Sequence, residues 1–232
     1  YITLFWAAEM VLLLWLYVKS KIWIYERATL VLMGLTLFSY LMDVSAVILS
    51  SSSSDTIFLN SSFATSLFVG LAAGAFALMM GHYRSLFSEA RCLRYVPWNP
   101  VMLLTSAAIL YYTFMAEFSL HLAGATRSGM MLVFTSAAIL ILSYAFKKRF
   151  PIEQCTIPYL AGLGINVLIY AINIWGDQWA HMSLSPVLLR WLAVAFIIVN
   201  LYYVARQYYT IIGLKTHFTV YLNVLALLLW LT

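Results

Sequence analysis

The chain has 232 residues, 64% of them hydrophobic and 9% charged, with a net charge of +5, a pI of about 9.2 and a mean hydropathy of +0.93. Soluble domains carry about 25% charged residues and need polar cover for their surface, so a water-soluble globule is excluded. The basic balance belongs with membrane topology, because no Lys/Arg stretch alternates with aromatics as a nucleic-acid-binding face does.

Eight stretches meet or approach the roughly 20 apolar residues a helix needs to cross a bilayer. In chain order they are 1–18, 28–49, 63–82, 99–119, 130–146, 157–175, 187–206 and 217–232. Prolines mark their edges: Pro97 and Pro100 before the fourth, Pro151 and Pro158 around the sixth, Pro186 before the seventh. The connection 50–55 is a serine-rich polar turn, and Asn60-Ser61-Ser62 matches a glycosylation acceptor pattern. Connection 83–97 has Leu86, Phe87, Ala90 and Leu93 at helical spacing beside Arg84, Arg91 and Arg94. It reads equally as a short helix in the headgroup region or as an ordinary basic loop. The expected architecture is all-α: one polytopic bundle over 1–232 with about eight spanning helices and no soluble domain. The abrupt start at Tyr1 and end at Thr232 read as a piece of a longer chain.

Charge orients the segments. Lys19, Lys21, Arg27, Arg84, Arg91, Arg94, Lys147, Lys148, Arg149, Arg206 and Lys215 fall in alternate connections, against Arg127 and Arg190 in the others. Eleven against two places the basic loops in the cytoplasm and both ends of the chain outside. Cys92 and Cys155 then lie inside, where a disulfide is not expected.

Ionisable residues within spans are the main functional hint, since each costs a few kcal/mol at the bilayer centre. Glu9 lies near the middle of the first segment and Asp43 about two-thirds of the way out along the second; Glu117 and Arg190 sit near the outer ends of the fourth and seventh. Arg190 pairing with Asp43 or Glu117 is the sharp reading, and snorkelling of Glu117 and Arg190 to the headgroups is the weightier one. Glu9 and Asp43 should face protein or a wet cavity. Asn166 and Asn173, seven apart, share a face of the sixth segment, and Asn200 lies in the seventh; interhelical hydrogen bonds outweigh a polar conduit. Gly70, Gly74 and Gly81, with Ala73 and Ala77, form a small-residue packing face.

Thr-Ser-Ala-Ala-Ile-Leu occurs at 105–110 and at 135–140, which reads as coincidence in helices of this composition. The four histidines sit at segment ends or in loops, so neither a haem nor a metal is expected. HExxH, GxSxG, P-loop and GxGxxG patterns are absent.

The opening Leu4-Phe5-Trp6-Ala7-Ala8-Glu9, then Leu12-Leu13-Leu14-Trp15-Leu16 and Lys19-Ser20-Lys21-Ile22, with the later Leu41-Met42-Asp43, resembles the long bacterial inner-membrane proteins of unknown function that string many hydrophobic helices in one chain. The resemblance covers mainly the first fifty residues. It implies an inner-membrane location, makes Glu9 and Asp43 characteristic positions, and brings no activity or cofactor. Three functions stand in order: a non-enzymatic structural or scaffolding membrane domain, a permease or channel using the intramembrane carboxylates, and a lipid-modifying membrane enzyme. The expected partners are the lipid bilayer, other membrane subunits or further helices of the same chain, and no nucleic acid.

Overall fold

The structure is a computed structural model that describes residues 2–50, 56–88, 93, 97–147, 164, 168 and 184–212. Among the described residues there is no strand. The helices are α1 (Ile2–Ser20), α2 (Trp23–Ser50), α3 (Ser61–His82), α4 (Arg84–Ser88), α5 (Trp98–His121), α6 (Gly124–Lys147) and α7 (Leu184–Ile212). α1, α2, α3 and α5 are long and apolar enough to cross a membrane; α6 and α7 contain the shorter apolar stretches Thr126–Leu142 and Val187–Asn200. The expected spans at 157–175 and 217–232 lie outside the described residues apart from single positions in the former.

Helix is the form these sequences take because it satisfies every backbone group within the segment. Side-chain hydroxyls follow the same logic: those of Thr29, Thr36, Thr105, Thr113, Thr135 and Ser136 each donate to the carbonyl four residues back. α1 stops where Lys21 adopts φ 57 and its N–H bonds the Tyr17 carbonyl at 2.8 Å. α2 begins at Trp23, earlier than hydropathy suggests, with Glu26 in its first turn, where a helix N-terminus favours an acid. α3 is capped by Asn60, whose side chain accepts from the Phe63 N–H at 2.6 Å.

The chain divides into two compact units, Tyr1–His121 and Leu122–Thr232. In the first, α3 is central: it packs most extensively on α5, then on α1, and touches α2, while α1 and α2 form a hairpin. α1 buries Thr3, Ala7, Met10, Leu14 and Tyr17, and α2 buries Glu26, Thr29, Met33, Thr36 and Tyr40. Both sets alternate steps of three and four, the seam of left-handed coiled-coil packing. α3 buries a broader face, Val69 to Met80, as a helix with neighbours on several sides must. A Cβ on Gly70 would stand 2.7 Å from Leu110 Cδ2, and one on Gly74 would stand 2.9 Å from Ser106 Oγ, so α5 sits directly on the α3 backbone. Gly81 lies in the last turn of α3, half-buried.

α4 and Leu93 belong to this core. Phe87 is buried with its ring 5.8 Å from that of Tyr17, and Leu93 is buried too. Phe87 and Leu93 thus turn onto the ends of α1 and α2. In the second unit, α6 packs on α7 through Gly129 against Leu189, with Leu132, Ser136, Ala193, Val194, Ile197 and Asn200 buried.

Candidate functional site

The most elaborated polar site closes one end of the first unit. Glu117, four residues before the end of α5, is 3% exposed. Its Oε1 accepts the Phe58 backbone N–H at 2.6 Å and the Asn60 side-chain amide at 2.8 Å, and His121 Nε2 lies 3.3 Å away. Phe58 takes a left-handed conformation, φ 63, which aims its N–H at the carboxylate. Its ring packs with those of Phe63, Phe114 and Phe118, which shields the site. A carboxylate is suited to this place because it has only acceptor sites and offers them to several donors. Asn60 is spent twice, capping α3 through Oδ1 and binding Glu117 through Nδ2, the atom a glycan would need.

Residues 56–60, just ahead of α3, fold over Glu117, and its partners come from within the first unit. Arg190 lies on α7 in the second unit, 8% exposed. Asp43 is exposed in the last two turns of α2 and not enclosed. Its Oδ2 accepts from the Thr3 hydroxyl at 2.6 Å, and Ser39 Oγ lies 2.6 Å from the same hydroxyl. Since the Thr3 proton goes to Asp43, Ser39 donates to Thr3, a short chain stitching α1 to α2. Glu9 is half-buried midway along α1, and no hydrogen bond or ion pair reaches it among the described residues.

At the opposite end, Glu26 is 1% exposed and its Oε1 accepts the Leu93 N–H at 2.8 Å. Sequence reasoning passed over Glu26 because Lys21 and Arg27 make its surroundings look like a charged connection. The usable signal was Ile22 to Tyr25, an apolar run that already starts the helix. In the middle of the unit, the buried Tyr40 hydroxyl lies near those of Ser66 and Thr113 without meeting either in hydrogen-bond geometry.

Asn200 is fully buried and donates to the Ser136 carbonyl at 3.0 Å and to the Phe196 carbonyl at 2.9 Å, an interhelical bond of the expected kind. Asn166 and Asn173 lie outside the described residues. The two hexapeptide copies place their serines alike: Ser106 Oγ donates to the Gly70 carbonyl at 2.7 Å, and Ser136 meets Asn200, each at a helix–helix contact. Among the described residues no group of three His, Cys, Asp or Glu side chains is arranged to hold a metal. No family model, curated protein or solved structure matches the chain.

Proposed function

We propose that this chain is a multi-pass, non-enzymatic structural domain of a membrane assembly. In this reading it has about eight spans and resides in a bacterial inner membrane, as its likeness to long multi-helix inner-membrane proteins suggests. Its basic connections face the cytoplasm and both ends of the chain face outward. One observation carries the structural role: Glu26 and Glu117, the deeply buried carboxylates among the described residues of the first unit, tie the chain's own connections to its helix ends. The α3–α5 contact supports it, since it is closed down to backbone distance at Gly70 and Gly74. The orientation draws on the charge asymmetry of the connections.

The test is cysteine accessibility in proteoliposomes. Single Ala73→Cys, Met102→Cys and Ser106→Cys variants, at buried positions of α3 and α5 in a chain with Cys92 and Cys155 replaced by serine, should resist a water-soluble thiol reagent from either side. A continuous file of reactive positions would replace a structural module with a wet passage. That permease reading has one observation in its favour, the half-buried Glu9 without a partner among the described residues. It requires Glu9→Gln to abolish a measurable flux while leaving the fold intact.

A further inference from the structure

The α1–α2 end of the first unit carries a cluster of cations that the closed helix packing does not use. Lys19, Lys21, Arg27 and Arg84 are all exposed. They share one end, because the Tyr17–Phe87 ring contact and the Glu26–Leu93 hydrogen bond tie α4 and its flanks to the α1–α2 turn. Among the described residues no carboxylate pairs with any of the four; Glu26, the acid beside them in sequence, is buried and accepts from Leu93.

Two of these cations are held in place by exposed indoles. The Arg27 guanidinium lies 4.4 Å from the centre of the Trp23 ring, and Lys19 Nζ lies 5.9 Å from that of Trp15. Trp15 is 47% and Trp23 44% exposed, as interfacial tryptophans are. Stacking on an indole uses the flat face of a guanidinium and leaves its rim of N–H donors directed outward. A rim of that kind, with two ammonium groups at the same end of the unit, matches a phosphodiester bearing negative charge. Lys21 stands at the tip of the turn, where its positive φ carries it beyond the last helical residue.

We propose that this end binds anionic phospholipid headgroups selectively, with Arg27 on Trp23 as the oriented donor and Lys19, Lys21 and Arg84 as the surrounding charge. The inference rests on the membrane reading above and adds a lipid ligand to it. The experiment uses the full chain in nanodiscs of equimolar phosphatidylglycerol and phosphatidylcholine with matched acyl chains, and counts the lipids retained on release into native mass spectrometry. The unmodified chain should retain phosphatidylglycerol over phosphatidylcholine by about five-fold or more, since each cation near an anionic headgroup is worth about a five-fold preference. Combining Lys19→Gln, Lys21→Asn and Arg27→Gln should lower the preference by at least about five-fold, toward that of Arg84 alone; asparagine suits the left-handed backbone at position 21. Trp23→Leu keeps every charge and removes the stacking platform, and should cost about two-fold.

Parity in the unmodified chain, or an unchanged preference in the triple variant, would overturn the proposal. So would loss of the preference when inorganic phosphate is added, which would mark a site for free anions. Should the triple variant unfold, Lys21→Asn alone decides, with a drop of about five-fold expected and no drop contradicting. Alkaline carbonate extraction of the same chain from membranes separates the two failures. A chain that washes off refutes the membrane reading, whereas an integral chain at parity refutes the lipid site alone.

Discussion

The two ends of the first unit use a buried glutamate for the same purpose and surround it differently. At one end Glu117 gathers a backbone N–H, a side-chain amide and a histidine beneath a cluster of phenylalanine rings. At the other, Glu26 accepts the Leu93 N–H while cations stand exposed around it. The common element is physical. A connection that folds back onto apolar helices carries backbone N–H groups out of water, and each needs an acceptor. A carboxylate on the helix supplies one without adding a donor that would itself need a partner. The difference lies in the neighbours: Glu117 is enclosed by aromatics, and Glu26 sits inside a basic rim.

That comparison is tested hardest at Glu117. Glu117→Ala strands the Phe58 N–H and the Asn60 amide in a buried site, and should destabilise the protein by about 2–3 kcal/mol in thermal unfolding in detergent. Glu117→Gln keeps an acceptor oxygen where Oε1 now stands and should cost about half as much, because only the charge assistance is lost. Equal effects of the two would mean that the hydrogen bonds to Oε1 contribute little.

The helix contacts between the two ends come next. Gly70→Val forces a branched side chain into the space of Leu110 and Ile109, and should cost about 2 kcal/mol by overpacking. Gly34→Ala is the matched control: nothing lies within 4 Å of the added carbon, so the better helix propensity of alanine should stabilise α2 by up to about 1 kcal/mol. Opposite signs for the two glycines would confirm that contact, not composition, governs them. Glu26→Ala follows, with an expected cost of about 1–2 kcal/mol. Its more specific readout is hydrogen exchange at the Leu93 amide, which should accelerate in Glu26→Ala while the Phe58 amide keeps its protection.

These residues also show how far the sequence could be read. The helices and the Gly70–Gly74 contact were legible, because hydropathy over a span's length and small residues one turn apart each have a direct physical meaning in lipid. The seams Thr3–Ala7–Met10–Leu14–Tyr17 and Glu26–Thr29–Met33–Thr36–Tyr40 were hidden. A helix that is apolar all round shows no stripe, so the buried face is chosen by packing. Depth alone puts Glu117 near the outer end of its span and Asp43 about two-thirds of the way out, and gives no reason for Glu117 to be buried and Asp43 exposed; that depends on residues 56–60 folding over the end of α5. The left-handed Phe58, which makes that cover possible, leaves no mark in a run of serines and apolar residues.

The smallest expected effect belongs to the second unit, and its size is informative. Asn200 is fully buried, yet of its bonds to described residues one goes to a carbonyl in its own helix and one to the Ser136 carbonyl. Both acceptors sit within helices, where backbone carbonyls already have partners. Asn200→Leu therefore removes an interhelical bond worth about 0.6 kcal/mol and strands neither of these carbonyls. Ser106→Ala in the first unit should behave alike, because the Gly70 carbonyl it meets is also helical. Thermal unfolding that found either substitution as costly as Glu117→Ala would contradict this difference between the two kinds of bond. Interhelical side-chain bonds onto helix carbonyls add little, whereas a side chain that is the sole acceptor for a connecting segment's N–H is costly to lose.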